Sequence, residues 1–201
     1  VDTLEDAVQL PRLYVAWHAP EMFTDDDAAM DVLASVLTGG KSSRLHRRLV
    51  YEERIAQDVQ AFQNGQERAG SFWIIATASP GGPLAPIAAI IREELELLVS
   101  RGVEAAELGR AVAGIETSFV RALDRVGGFG GKADRLNHYH FFAGTPGWAR
   151  RDLLRYRSAS KEAVAGLADR YLVSRPGVWL SVVPRGRTDL AAAAPPGGAD
   201  P

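Results

Sequence analysis

The 201-residue chain contains no cysteine. That single absence excludes a thiolate nucleophile, thiolate-bound zinc, an iron–sulfur cluster and disulfide or redox switching. Long apolar runs are missing too: stretches such as Pro86 to Ile91 meet a charge within a few residues, far short of the ~20 residues that span a bilayer. Neither sign of charge dominates, with 23 basic residues against 25 acidic and a net charge of −2. There is therefore no cationic field to hold a phosphate backbone or an anionic membrane surface, and nucleic acid is not an expected partner. No Gly-x-Ser-x-Gly elbow occurs, and no nucleophile stands at a useful spacing from an activating base. The opening Val1-Asp2-Thr3-Leu4-Glu5 has no Met, basic start or apolar signal core, so the chain reads as an excised piece of a longer protein. What remains is ordinary globular composition, 46% hydrophobic and 24% charged, with length enough for one domain and a sizeable core.

Leu13 to His18 carries Tyr14, Val15 and Trp17 between Pro11 and Pro20 and predicts the first strand. Thr24 stands three residues before Asp27, with Asp25 and Asp26 between them, and so supplies a cap and negative charge at the positive end of a helix. Ala29, Val32, Leu33, Val36 and Leu37 form its apolar stripe, and Gly39-Gly40 ends it. Ser42 or Ser43 is expected to cap a second short helix carrying Leu45 and Leu49. Val59 and Ala61, the Asn64-Gly65 turn and the run Phe72 to Ala78 predict a hairpin. Pro80-Gly81-Gly82-Pro83 closes it. Two amphipathic helices follow, one through Ile87, Ile91, Leu95 and Leu98, the other through Leu108, Val112, Ile115, Phe119 and Ala122. Lys132 to Ala143 and the segment opened by Ser160 are further helices, and Val178 to Val183 is a last strand. Strands and helices segregate along the chain, so the fold class is α+β: an antiparallel sheet covered by helices on one face. The domain is expected over 1–187, with the Ala/Pro/Gly-rich 188–201 as a linker or tail.

Candidate chemistry is thin. Gly40-Lys41-Ser42 looks like the end of a phosphate loop, but the leading glycine would fall at Ser35 and the segment follows a helix, not a strand. Gly127-Gly128-Phe129-Gly130-Gly131-Lys132 fails likewise, with Val126 and Ala133 in the deciding places; it reads as a connector. His138 and His140 lie about 200° apart on a helix and cannot share a metal there. His18 and His46 read as packed or solvated side chains, and Glu93, Glu94 and Glu96 as the wet face of a helix. The clusters Arg44, Arg47, Arg48, Arg54 and Arg150, Arg151, Arg155, Arg157 read as solvated helix faces or an interdomain salt-bridge surface in preference to an anion site.

The run Gly39-Gly40-Lys41-Ser42-Ser43-Arg44-Leu45, followed by Leu49 to Val59 and a strand ending at Pro80-Gly81, resembles the carboxyl-terminal, non-catalytic domain of the insulinase or pitrilysin zinc peptidases, which include the mitochondrial processing peptidases. Gly102-Val103-Glu104 leading into Glu107-Leu108, and Ser160 to Val164 leading into Arg170-Tyr171-Leu172, look like later helices of the same family. The likeness runs from about Gln9 to Pro184.

The resemblance implies that zinc is held in an upstream partner unit by an inverted H-x-x-E-H motif and a distal glutamate. This chain contains no H-x-x-E-H. Without the zinc-bound water and glutamate base that the chemistry requires, it is expected to be inactive alone, to pack on the catalytic domain of the same chain and to form part of a chamber for peptide or unfolded protein. In relatives whose non-catalytic domain faces the zinc, an arginine and a tyrosine act on substrate or oxyanion. Here Val50 and Gln57 stand in their places, so no catalytic, substrate-binding or metal residue is carried over. That departure points to the second domain of a tandem member. The alternative is a peptidase-derived binding or core subunit without proteolytic function; a third reading, a domain with small-molecule chemistry of its own, would need a pocket with an ordered ligand. Bacterial relatives are commonly periplasmic or envelope proteins; compartment, substrate and assembly as a homodimer stay open.

Overall fold

The computed structural model describes residues 1–192; the remainder of the expected tail, 193–201, lies outside the described residues. Five strands, β1 (Asp2–Asp6), β2 (Arg12–Ala19), β3 (Ala56–Asn64), β4 (Gly70–Ala78) and β5 (Val178–Pro184), make one sheet in the order β1-β5-β2-β4-β3. All neighbours are antiparallel except β1 and β5, which run parallel with Asp2 opposite Leu180. The α+β expectation holds. Leu13–His18 is however the second strand: β1 precedes it on the sheet edge, where every one of its residues is exposed. An edge strand without a buried face has no alternation to betray it.

The two central strands β2 and β4 alternate cleanly. Leu13, Val15 and Trp17 with Phe72, Ile74 and Ala76 are buried, whereas Tyr14, Ala16, Trp73 and Ile75 look the other way and stay partly open to solvent. Trp179 of β5 meets Trp17 edge-on at 5.9 Å. Gly177, just before β5, lies so close that an added Cβ would come within 2.5 Å of the Trp17 indole nitrogen. All helical packing falls on the first of these faces. It starts with α1 (Asp25–Thr38), capped by the Thr24 hydroxyl, which accepts from the Asp27 N–H at 3.2 Å. Apolar residues Ala28 to Leu37 are buried nearly all round this helix, as expected of one enclosed on several sides. Its last turn also covers the free edge of β3, where the Ala61 N–H donates to the Thr38 hydroxyl at 2.8 Å.

α2 (Arg44–His46) continues as a π-helical turn over Arg47–Glu52. Ser43 occupies its N-cap position, but its hydroxyl donates back to the Gly40 carbonyl at 2.5 Å and caps nothing. α3 (Ala85–Arg101) buries Ile87, Ile91, Leu95 and Leu98 as predicted and stops at Gly102, φ 76°. α4 (Ala105–Ala122) begins with a full capping box between Glu104 and Glu107, yet of its residues only Ala111 is buried; Leu108, Val112, Ile115 and Phe119 are half-covered. α5 (Lys132–Ala143) and α6 (Ala149–Arg157) form a helical pair beside α1, and α7 (Lys161–Leu167), capped by Ser160, runs into a π-helical turn over Ala168–Val173. Ordered packing passes the expected boundary at 187: Leu190 is buried, its carbonyl accepts from the Leu84 N–H at 2.8 Å, and the Ala192 N–H donates to the buried Ser181 hydroxyl at 3.0 Å.

Leu33, fully buried on α1, has no room to collapse around a deletion. Leu33→Ala should lower unfolding free energy by roughly 2–5 kcal/mol in urea titration; a loss below about 1 kcal/mol would contradict the enclosed position of α1.

Candidate functional site

A concavity of about 700 Å³ opens between α1 on one side and α4, α5 and α6 on the other. Its geometry begins at Phe23, whose backbone is left-handed at φ 65°, a costly state for a bulky residue. That conformation aims the Phe23 N–H at Asp27, which accepts it at 3.0 Å. Asp27 and Asp31, one helical turn apart, therefore project from the same side of α1 into the concavity.

From the opposite wall, α6 supplies Asp152 and Arg155, one turn apart and both buried. The Arg155 guanidinium bonds Asp152 at 2.5 Å, reaches Asp27 at 3.4 Å and donates to the Thr24 carbonyl. Asp152 also accepts from the Tyr139 hydroxyl of α5 at 2.5 Å, and Asp31 accepts from the Tyr156 hydroxyl at 2.9 Å. Phe23, Trp148 and Tyr156 rings lie 5.0–5.6 Å from the guanidinium carbon. Among the described residues, Arg155 Nε on α6 and Gln63 Oε1 on β3 are buried without a hydrogen-bond partner.

Burial beside Arg155 shifts the protonation of the two α1 carboxylates. Burial raises Asp27 above the usual carboxylate range, opposed by the Phe23 N–H and by Arg155. Asp31 is pushed up to about 7, first by burial and then by the charge of Asp27, against the Tyr156 hydrogen bond and Arg155. Tyr156 and Tyr139 are both raised by burial, next by Asp31 and by Asp152 respectively. Burial works against the Arg155 charge, but Asp152, Tyr156 and Asp27 hold its pKa above the ordinary value.

The basic clusters resolve into internal ties. Arg44 makes a bidentate pair with Glu107 at 2.6 and 2.9 Å and donates to the Gly102 carbonyl; Arg48 bonds Glu94 at 3.0 Å and also pairs with Glu93. Glu94 is thus buried, correcting its assignment to a wet face, because Arg48 neutralises it against the core. Arg155 corrects the reading of its cluster as solvated, although Arg150 and Arg151 are exposed and Arg157 holds Glu116 at 2.6 Å near the surface. Gly40-Lys41-Ser42 is a turn between helices, with Gly40 at φ 135°. His138 and His140 are exposed on α5, His138 packing on Phe23 and Phe142; His18 is exposed, and His46 packs on Tyr51. Val50 lies half-buried against the core and Gln57 is exposed on β3, neither of them in the concavity.

Among the described residues no group of three or more His, Cys, Asp or Glu side chains is placed to hold a metal ion. Asp27, Asp31 and Asp152 do not converge; Arg155 bonds both Asp27 and Asp152. A zinc ion thus has no fitting donor set among the described residues. Sequence reading missed the whole cluster because its members lie on three helices, with Arg155 and Asp27 separated by 128 positions.

Residues 1–115 match the model of the peptidase M16 inactive domain. Over 99 residues, 49% of this chain, the sequence is 32% identical to an uncharacterized zinc protease of Streptomyces coelicolor, of which it covers 21%; the chain spans about a fifth of that relative. The crystal structure of the inactive peptidase domain of a candidate zinc protease from Bordetella parapertussis superposes with a TM-score of 0.76 at 23% identity, covering 90% of this chain and 94% of that one. A protease from Helicobacter pylori gives 0.79 at 19% identity, covering 91% of this chain and 44% of that one. At such identities the likenesses show the fold.

Asp31 gives the site a pH signature. Its pKa lies near 7 in the fold against an ordinary 3.8, so the native state holds the extra proton and stability falls as pH rises from about 4 to 7. Asp31→Asn, which keeps an acceptor for Tyr156, should flatten that slope and stabilise the protein at pH 8 by roughly 1–3 kcal/mol. Urea titrations at pH 5 and pH 8 check it; equal slopes in both proteins would refute the assignment.

Proposed function

Because the chain belongs to the peptidase M16 inactive-domain family, we propose that it works as the non-catalytic wall of a zinc peptidase, packing on a zinc-bearing domain and shaping the chamber that receives peptide or unfolded protein. The zinc, its bound water and the glutamate base belong to that other domain, and no step of the hydrolysis uses a residue of this one. The observation that carries the reading is the bare side of the sheet. Tyr14, Ala16, Trp73, Ile75, Leu180 and Val182 are left half-open there, with Phe62 stacked on Trp73 at 6.4 Å and 39% exposed. A sheet with one helix-covered face and one apolar, uncovered face fits a unit whose second layer is another domain or a bound polypeptide.

The purified chain should carry less than about 0.1 zinc per molecule by elemental analysis and cleave no unfolded protein; chelator-sensitive cleavage by the chain alone would reject the proposal. In the intact parent protein, Trp73→Glu should cut cleavage of an unfolded substrate by an order of magnitude or more, while far-UV circular dichroism stays unchanged. Undiminished cleavage would show that the bare face has no part in it.

A further inference from the structure

The near-neutral total charge hides an uneven distribution. Residues 120–157, from the end of α4 through α6, hold eight basic and three acidic side chains, net +5, whereas the rest of the chain holds 15 basic and 22 acidic, net −7. Arg155 is spent in the buried network and Arg157 on Glu116. Arg121, Arg125, Lys132, Arg150 and Arg151 are exposed and make no ion pair among the described residues. The same stretch holds seven of the thirteen large apolar side chains exposed among the described residues, so bare apolar surface and positive charge are concentrated together.

Both meet in the α4–α5 connection. The Lys132 N–H donates to the Arg125 carbonyl at 2.8 Å, the Ala133 N–H to the Val126 carbonyl at 3.0 Å and the Gly131 N–H to the Gly128 carbonyl at 3.1 Å, while Asp134 accepts from the Gly130 N–H at 2.8 Å. Gly128 and Gly130 are left-handed, φ 79° and 72°, and a Cβ on Gly131 would come within 2.6 Å of the Gly127 carbonyl oxygen. The glycines thus fold a closed loop in place of a slack connector. Every residue from Asp124 to Phe129 is exposed. Phe129 stands 97% and Val126 73% in the open, with Arg125 and Lys132 at the closing bonds and Arg121 in the last turn of α4.

We propose that this loop docks the protein on an anionic lipid surface, Phe129 and Val126 entering the headgroup layer while Arg121, Arg125 and Lys132 pair with lipid phosphates. Charge selects the occupant. A second copy meeting this one through the same loop would set basic residues against basic ones. A protruding tip ringed by arginine and lysine offers a rigid protein little area to bury, whereas a fluid lipid interface takes up an aromatic side chain without a preformed pocket. The negative remainder of the chain is repelled by the same surface and so turns this end toward it. Among the described residues no helix is long and apolar enough to cross a membrane, so the contact is peripheral and weakens with salt. The inference stands apart from the chamber reading, which uses the uncovered side of the sheet.

Because the chain has no cysteine, a single introduced one reports locally. Gly127→Cys, where an added Cβ meets nothing within 4 Å, is labelled with an environment-sensitive dye and mixed with vesicles of about 30% phosphatidylglycerol in phosphatidylcholine. The dye emission should shift to the blue. Sedimentation should carry about tenfold more protein with these vesicles than with phosphatidylcholine alone, and the difference should vanish at about 0.5 M NaCl. Phe129→Asp, and separately Arg125→Glu with Lys132→Glu, should each lower the partition coefficient about tenfold with far-UV circular dichroism unchanged. Equal sedimentation with the two kinds of vesicle, a blue shift from a label at His18→Cys on the end of β2 in place of the loop, or undiminished binding by Phe129→Asp would each overturn the proposal. So would vesicle binding by the chain that the intact parent protein lacks, since another domain would then cover the loop.

Discussion

One buried guanidinium decides how the helical layer is assembled. Arg155 of α6 reaches across to the first turn of α1, where it satisfies the Thr24 carbonyl and faces Asp27, while Asp152 of its own helix closes the other side. The desolvation cost of placing this charge out of water is offset by these contacts; deletion of Arg155 would leave Asp27 and Asp152 in the interior without their cation. Through Asp152 and Tyr139 the same network fixes α5, and through the left-handed Phe23 it fixes the chain entering α1. The concavity exists because these ties set α6 against α1 at its base, with the half-covered Ile115 and Phe119 of α4 on its lining.

A second set of ties gives physical meaning to the segment whose sequence resembled a peptidase unit. In Gly39-Gly40-Lys41-Ser42-Ser43-Arg44-Leu45 the glycines release the chain from α1, Leu45 is fully buried, and Arg44 clasps Glu107 in the capping box of α4. The run is a structural joint between helices, and its similarity to a phosphate loop is incidental.

How far the sequence could be read follows from locality. The Thr24 cap, the β3–β4 hairpin and the α3 stripe were legible because their signals lie within a few residues of one another. β1 was not, since its pairing partner lies at the other end of the chain and all its side chains face water. Glu94 looked like a surface acid because nothing near it in sequence announces Arg48, and Arg155 looked solvated among arginines that are. The concavity escaped for the same reason: Asp27 and Asp31 read as parts of a capped helix, and only the fold brings Asp152, Arg155 and Tyr156 against them. The resemblance to an inactive peptidase unit was recovered from ordered short matches, and it agrees with the family to which the chain belongs.

The position of β5 bears on how the domain is made. This strand, the last in sequence, is inserted between β1 and β2, so a nascent chain leaving the ribosome would hold β1 with no neighbour and β2 with one flank bare until Val178–Pro184 emerges. Closing the sheet therefore waits for β5, and the interval exposes unpaired backbone and the Trp17 side chain that Trp179 later meets. A sheet closed in this order depends on β5 for cooperativity, and degradation or chaperone capture would act chiefly during that wait.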